Sequence, residues 1–349
     1  MKKTLIALAV LSAAGVASAQ SSVTLYGLAD AYVGSINTKT TTAAGASTSL
    51  RQNVVNSGGF GTSRFGLSGG EDLGGGLKAN FQLESGVNID TGAGGTNSVF
   101  NRSSWVGFSG GFGAIKLGKM WSPYDEVKGL GAGAFNEIFA PANANVWASN
   151  NYIANPSNSI YYSTPNVSGF SAAALYAFGE NKTGATGTPP NTDAGRLVSV
   201  NARYAGGPVD VALSHQQEKA NGAVPTVKFT QVNASYDLSV AKIRAAYGQV
   251  KNGTTTLFAA GSFDKSQEFQ VGVDVPLGNA LTLSTGVARG KLTFAGGGEV
   301  KSTGFGIAAK YTLSKRTFFY TGLLLAKNDG PGSSEVKTDV FAAGVQHQF

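Results

Sequence analysis

The sequence contains no cysteine, only two histidines and few charges, and each shortage removes a class of function. Without thiols there is no disulfide framework and no thiolate metal site. With His215 and His347 as the only imidazoles, and His215 inside the strand-like run Ser214-His215-Gln216, hydrolytic chemistry lacks a base beside a nucleophile. The expectation is therefore a chain that is not an enzyme, with no catalytic residue, no cofactor and no metal site. Past residue 19 no apolar run reaches the length of a membrane-spanning helix, and helical periodicity is not evident anywhere. Charged residues make up 13% of the chain, against roughly a quarter in soluble domains. The basic residues are not clustered as a phosphate-tracking surface requires, which argues against nucleic acid as a partner. The glycine-rich run Gly129-Leu130-Gly131-Ala132-Gly133 has neither a strand-to-helix setting nor a following Lys-Ser/Thr, so it is not a phosphate cradle.

What is abundant is glycine, 49 of 349 residues, and aromatic side chains, 10%. At the N-terminus Lys2 and Lys3 precede an apolar run from Leu5 to Val16 and the small residues Ala17-Ser18-Ala19. This is the pattern of a secretory signal peptide over residues 1–19, leaving a mature domain of 20–349. Its removal takes away two lysines and leaves 25 basic against 20 acidic residues, a net charge of about +5.

The mature chain alternates apolar and polar residues in segments of about ten. Phe269, Val271, Val273 and Val275 share one face, with Glu268, Gln270 and Asp274 on the other. Leu77, Ala79, Phe81 and Leu83 alternate in the same way with Lys78, Asn80, Gln82 and Glu84. Tight turns such as 72–76, 110–113, 205–208 and 276–279 are interleaved with longer polar stretches such as 38–60, 182–195 and 253–264. Short turns at one end and long loops at the other predict an all-β fold, a closed antiparallel transmembrane β-barrel. Counting segments gives sixteen strands, starting near residues 23, 63, 77, 102, 113, 159, 169, 196, 209, 227, 241, 266, 281, 302, 317 and 337. A barrel of that size keeps an aqueous lumen. The last segment alternates Phe341, Ala343, Val345 and His347 and ends on Phe349.

Several motifs carry a likeness over the mature chain. They are Val23-Thr24-Leu25-Tyr26-Gly27 with Asp30, Ser63-Arg64-Phe65-Gly66-Leu67, the run Gly70 to Ala79, Asn101-Arg102-Ser103, Leu117-Gly118-Lys119, Asn158-Ser159-Ile160-Tyr161-Tyr162, Leu313-Ser314-Lys315-Arg316-Thr317 and the terminal Phe. In order and spacing the chain resembles the general porins of Gram-negative bacteria, in particular the beta-proteobacterial and neisserial group. The resemblance implies an integral outer-membrane homotrimer, each subunit with its own pore for passive diffusion of ions and small hydrophilic solutes. It also implies contact with outer-membrane lipid and lipopolysaccharide, and assembly machinery that reads Phe349. The outward face of the first segment, Val23, Leu25, Gly27, Ala29 and Ala31, ends in small residues that suit close subunit packing and plain lipid contact equally.

The longest connection, residues 124–156, is expected to fold inward as the third loop and to narrow the pore. It carries Asp125, Glu126 and Glu137 against Lys128, with Phe135, Phe139, Trp147 and Tyr152 as apolar anchors. The resemblance sets Arg64 and Arg102 on the opposite wall. Parity also turns Lys78, Lys116 and Arg244 inward, and Glu84 with them, at a position matching an acidic residue near the constriction of the family. Such facing charges sort permeating ions. Where the family often has a basic residue, around Asn155-Pro156, this chain has none, so the expected anion preference is weak. A substrate-specific channel or a surface adhesin on the same barrel are the alternative readings, and an outer-membrane enzyme is disfavoured.

Overall fold

The computed structural model of the protein describes residues 22–95, 98–133, 137–179, 195–220, 225–259 and 261–349. The expected signal peptide, most of the stretch 182–195 and the anchor Phe135 lie outside the described residues. All strands belong to one antiparallel sheet that closes on itself. In chain order they are β1 (Ser22–Thr41), β2 (Ser47–Ser57), β3 (Arg64–Gly74), β4 (Leu77–Gly86), β5 (Ser103–Gly110), β6 (Gly113–Lys119), β7 (Ser159–Ser163), β8 (Phe170–Ala177) and β9 (Leu197–Gly206). They continue as β10 (Val209–Glu218), β11 (Val227–Asp237), β12 (Lys242–Thr255), β13 (Gly261–Leu277), β14 (Leu281–Thr293), β15 (Glu299–Thr312), β16 (Thr317–Asp329) and β17 (Glu335–Gln348). Apart from β2 and β3, which both pair with β1, each strand pairs with its sequence neighbour, and β1 closes the barrel against β17, Leu28 to Thr41 running beside Gln348 to Glu335. Closure leaves no sheet edge in lipid, where an unpaired backbone group is costly.

Seventeen strand segments make sixteen barrel positions, because β2 and β3 are two halves of one wall strand. β1 pairs with β2 along its outer half and with β3 along Ser22–Leu28. Between the halves, residues 58–63 leave the ladder. This corrects the loop expected at 38–60: the segment is a β1–β2 hairpin turning at residues 42–46. Likewise, 253–264 is mostly strand, β12 running to Thr255 and β13 resuming at Gly261. Both misreadings have one cause. Strand tips that rise beyond the hydrocarbon no longer need apolar outward residues, so Thr41, Ser47, Ser49 and Arg51 look like loop while they are laddered.

Alternation sorts the faces as the composition requires. Phe269 and Val271 are exposed on the lipid side, whereas Glu268 and Gln270 between them are buried inside. Outward aromatics near the short turns, including Phe170, Tyr204, Tyr236, Tyr311 and Phe319, form the interfacial girdle of a membrane barrel. The terminal Phe349 completes the closure, its amide donating to the Gly27 carbonyl (3.1 Å) and its own carbonyl accepting from the Gly27 amide (3.0 Å). Its ring occupies the space a Gly27 side chain would need.

Candidate functional site

The connection between β6 and β7 enters the lumen. It opens with helix α1 (Pro123–Lys128), set by local chemistry: the Ser122 hydroxyl caps the Asp125 amide (3.3 Å) and a proline stands in the first turn. Tyr124, fully buried, packs edge-on against Tyr152 (4.7 Å) and Phe229 (6.0 Å), and its amide donates to Ser199 Oγ (3.0 Å). Past α1 the chain is held by side chains of the wall. Glu268 Oε1 accepts from the amides of Ala148 (2.8 Å) and Ser149 (3.2 Å), Asn328 Nδ2 donates to the Ala144 carbonyl (3.0 Å), and Gln270 Nε2 donates to the Gly131 carbonyl. Arg244 forms an ion pair with Asp274 (2.5 Å) and donates to the Leu130 carbonyl (3.1 Å).

The wall under this loop is a track of small residues. A Cβ on Gly272 would stand 2.7 Å from the Gly133 Cα, and one on Gly290, Gly304 or Gly322 would collide with the Val146 carbonyl, the Pro141 carbonyl or the Phe139 ring. Ala246, Ala288, Ala308 and Ala326 fill the same inner face. The loop therefore lies flat on β12 to β16 and leaves the opening on the far side. A Gly290→Val variant should push residues 146–147 into the lumen. Single-channel conductance should fall, at a cost in stability of about 1–3 kcal/mol typical of overpacking; unchanged conductance would contradict the track.

On the far side lies a cavity of about 640 Å³. Its lining includes Arg64 and Arg102 from the wall, and Trp121, Asp125, Lys128 and Glu137 from the connection after β6. Arg102 stacks over the Trp121 ring (4.8 Å). Behind the arginines Glu84 takes Arg102 Nε at 2.8 Å and Arg64 Nε at 3.5 Å, and the Tyr26 hydroxyl donates to it (3.0 Å). Tyr26 in turn accepts from Gln82 (2.6 Å), whose oxygen takes the Trp105 indole N–H (3.0 Å). Two cations are thus fixed by one shared, buried carboxylate and a wall network.

Burial raises the carboxyl pKa of both loop acids in the cavity. Glu137 is pushed up to about 7, opposed by Lys128. Asp125, which accepts the Tyr152 hydroxyl, is raised chiefly by burial as well, and the Lys128 ammonium is lowered by burial. The local inventory is three cations, Arg64, Arg102 and Lys128, against Glu84, Asp125 and Glu137. With its pKa raised to about 7, Glu137 carries the variable charge of this set near neutrality.

Other residues singled out by sequence lie elsewhere. Glu126 faces the wall, accepting from Tyr161 (2.9 Å) and Asn201 (3.3 Å). Lys116 lies over the Trp105 and Tyr161 rings (4.7 and 4.8 Å). Lys78, opposite Asp72, stands at the short-turn end of β4, eight residues from Gly86 beside Arg64 and so about 26 Å along the strand. Arg244 is a loop anchor. Asn155, at the expected basic position, donates to the Arg102 carbonyl (2.9 Å), and its own carbonyl accepts from Lys119 Nζ (2.6 Å).

One site residue had no sequence signal beyond its motif. Asp30, fully buried on β1, faces the gap between β2 and β3. Its Oδ1 accepts from the Gly59 amide (2.9 Å) and the Tyr320 hydroxyl (2.5 Å). Its Oδ2 accepts from the amides of Phe60 and Gly61 and from Gln346 Nε2, each at 3.0 Å. Five donors thus hold the segment whose residues Phe60, Gly61 and Thr62 line the cavity beside Arg64.

The model of the Gram-negative porin family matches residues 4–331. An outer membrane porin protein 32 of Delftia acidovorans is 37% identical, with 99% of this chain and 95% of that protein covered. An outer membrane porin of Bordetella pertussis is 31% identical over the whole of both chains. Among solved structures, an anion-selective porin from Comamonas acidovorans superposes with a TM-score of 0.75 at 29% identity, covering 95% of this chain and all of that one.

Proposed function

Because the chain belongs to the Gram-negative porin family, we propose that the cavity between Arg64, Arg102 and the inward loop is the constriction of its pore and sets a weak preference for anions. The protein is an outer-membrane porin, a channel for passive diffusion, and not an enzyme. The observation that carries the selectivity reading is the shared-carboxylate pair: Arg64 and Arg102 stand on one wall with a single Glu84 between them, facing Asp125 and Glu137 across the opening. Fixed charges across a wet gap make a transverse field that a permeating ion must cross. The neighbouring anion-selective porin supports the same sign.

Because burial raises the Glu137 pKa to about 7, the acid is mostly ionised at about pH 8 and mostly neutral at about pH 6. Acidification removes a negative charge from the constriction, so anion preference should strengthen as pH falls through about 7. Zero-current potentials across a planar bilayer check this. A Glu137→Gln variant should be anion-shifted throughout and lose that step, and a wild-type preference flat over the range would contradict it.

Residues 1–19 serve as a cleaved signal peptide on this reading, Phe349 is recognised during outer-membrane assembly, and the subunits associate as trimers in contact with outer-membrane lipid and lipopolysaccharide. The outward hollow lined by Ala31, Val33, Val55, Phe319, Ala343 and Val345 supports self-association, since small residues let apolar faces approach. Native mass spectrometry of the detergent-solubilised protein should give a trimer; a monomer at all concentrations would contradict it.

A further inference from the structure

Beneath the arginines, on the short-turn side of the constriction, the inner wall carries a second hollow of about 550 Å³. Its polar lining includes Thr24, Ser68, Asn80 and Ser109, and Trp105 and Lys116 stand beside them. The ladder arranges these side chains in two rows. Thr24, Ser68, Gln82 and Trp105 follow one another across β1, β3, β4 and β5. Two residues lower, Asn80, Gly107, Lys116 and Tyr161 do the same across β4 to β7. Asn80 is four residues from Glu84, about 13 Å along the strand. A solute that leaves the constriction on this side therefore reaches these rows next.

Asn80 and Lys116 stand two strand spacings apart, about 10 Å, and Gly107 between them has no side chain to fill the gap. The gap accommodates one six-membered ring. On one side of it the Lys116 ammonium lies over the Trp105 ring (4.7 Å) and the Tyr161 ring (4.8 Å), which sets a single positive charge at the edge of an aromatic surface. Lys116 makes no ion pair among the described residues: Glu126, the carboxylate whose field reaches it, accepts from Tyr161 (2.9 Å) and Asn201 (3.3 Å). On the other side Asn80 Nδ2 donates to Ser109 Oγ (2.9 Å) and to the Lys78 carbonyl (3.4 Å). Its side-chain oxygen is thus the atom left to accept from a ligand hydroxyl. Half-buried Trp105 is braced from behind, its indole N–H donating to Gln82 Oε1 (3.0 Å), so the ring is in place before a ligand arrives. None of the described lining residues is acidic.

We propose that this hollow is a binding station for a monosaccharide carrying one carboxylate, a sugar acid, on its way through the channel. The inference rests on the channel reading and adds a solute class to it. A pyranose presents an apolar C–H face and a rim of hydroxyls. The face meets Trp105, the hydroxyls meet Asn80, Ser109, Ser68 and Thr24, and the carboxylate meets Lys116. The hollow has the size and the mixture of ring and sparse polar groups that small-molecule sites share. One ammonium matches one carboxylate, whereas a sugar phosphate brings a charge of about −1.5 to −2 to the same single cation. A short acyclic acid leaves the aromatic surface and the hydroxyl partners unused, and a neutral sugar leaves the ammonium without an anion.

The test records single channels of the full-length porin in a planar bilayer, with sodium glucuronate, glucose and sodium lactate as probes at equal concentrations. Glucuronate should interrupt the open current in brief blockades whose frequency saturates with concentration. Glucose and lactate should each bind about tenfold more weakly, the loss expected for one hydrogen bond to a charged group or for the ring contacts. Lys116→Gln should weaken glucuronate about tenfold and leave glucose unchanged, a split that mere distortion of the wall does not produce. Trp105→Leu should weaken glucuronate and glucose alike, and Asn80→Ala serves in its place if that variant forms no channels. Openings that glucuronate does not interrupt would overturn the proposal, as would equal blockade by lactate or glucose, or blockade indifferent to Lys116→Gln. Wild-type protein that never opens would instead overturn the channel reading on which the proposal rests.

Discussion

Replacing Arg64 and Arg102 together with glutamine should turn a weakly anion-preferring pore into a cation-preferring one. The two guanidinium groups supply two of the three cations around the constriction cavity, and without them Lys128 alone faces Glu84, Asp125 and Glu137. A unit charge a few ångströms from a permeating ion is worth about 1 kcal/mol in water and more beside protein, so each loss shifts the permeability ratio about fivefold at low salt. The double variant also uncovers Glu84, which Arg102 holds at 2.8 Å, so part of the shift comes from a newly unpaired carboxylate. Adding Glu84→Gln separates the contributions: the triple variant should fall between wild type and the double variant. If the double variant keeps the wild-type zero-current potential, these arginines do not set selectivity.

Asp30→Ala should be the most damaging single change in the wall. It leaves the amides of Gly59, Phe60 and Gly61, the Tyr320 hydroxyl and the Gln346 amide without their acceptor. Buried donors left unmade cost about 1–3 kcal/mol each, and water in the lumen offsets part of that, so a loss of about 3 kcal/mol or more is expected from the midpoint of denaturant unfolding. Once released, residues 58–62 no longer hold the cavity edge beside Arg64, and single-channel currents should become noisier. Asp30→Asn keeps the size but presents an NH₂ group to donors, and should lose most of the same stability. A variant as stable and as quiet as wild type would show that the clamp is dispensable.

How much was legible in the sequence depends on which contacts make each feature. Strand alternation is local, so Phe269 and Val271 outside with Glu268 and Gln270 inside followed from period two alone. The polar tips of β1 and β2 defeated the same reasoning, because outward residues above the hydrocarbon lose their apolar signature while the ladder continues. Parity and the segment count put Arg64 and Glu84 inward on consecutive strands, but they could not say that the register brings the two side chains together as an ion pair. The pairing matters electrostatically, since Glu84 offsets the arginines beside it. Lys78, Lys116 and Arg244 share an inward parity without sharing a height, and height along the strand decides which charges meet. The glycines under the inward loop read as turn or flexibility signals one at a time; only the ladder aligns Gly272 with Gly286, and Glu268 with Gly290, as one wall. Asp30 was visible only as a motif residue because its donors come from segments 29 to 316 positions away.

The measurement that bears most directly on the account is single-channel recording of the purified porin in a planar bilayer under a potassium chloride gradient. A water-filled pore with a weakly positive constriction predicts stepwise openings whose conductance rises roughly in proportion to salt, and a zero-current potential of the anion-preferring sign. A clear cation-preferring potential from well-resolved openings, or a folded protein that never conducts, would contradict it.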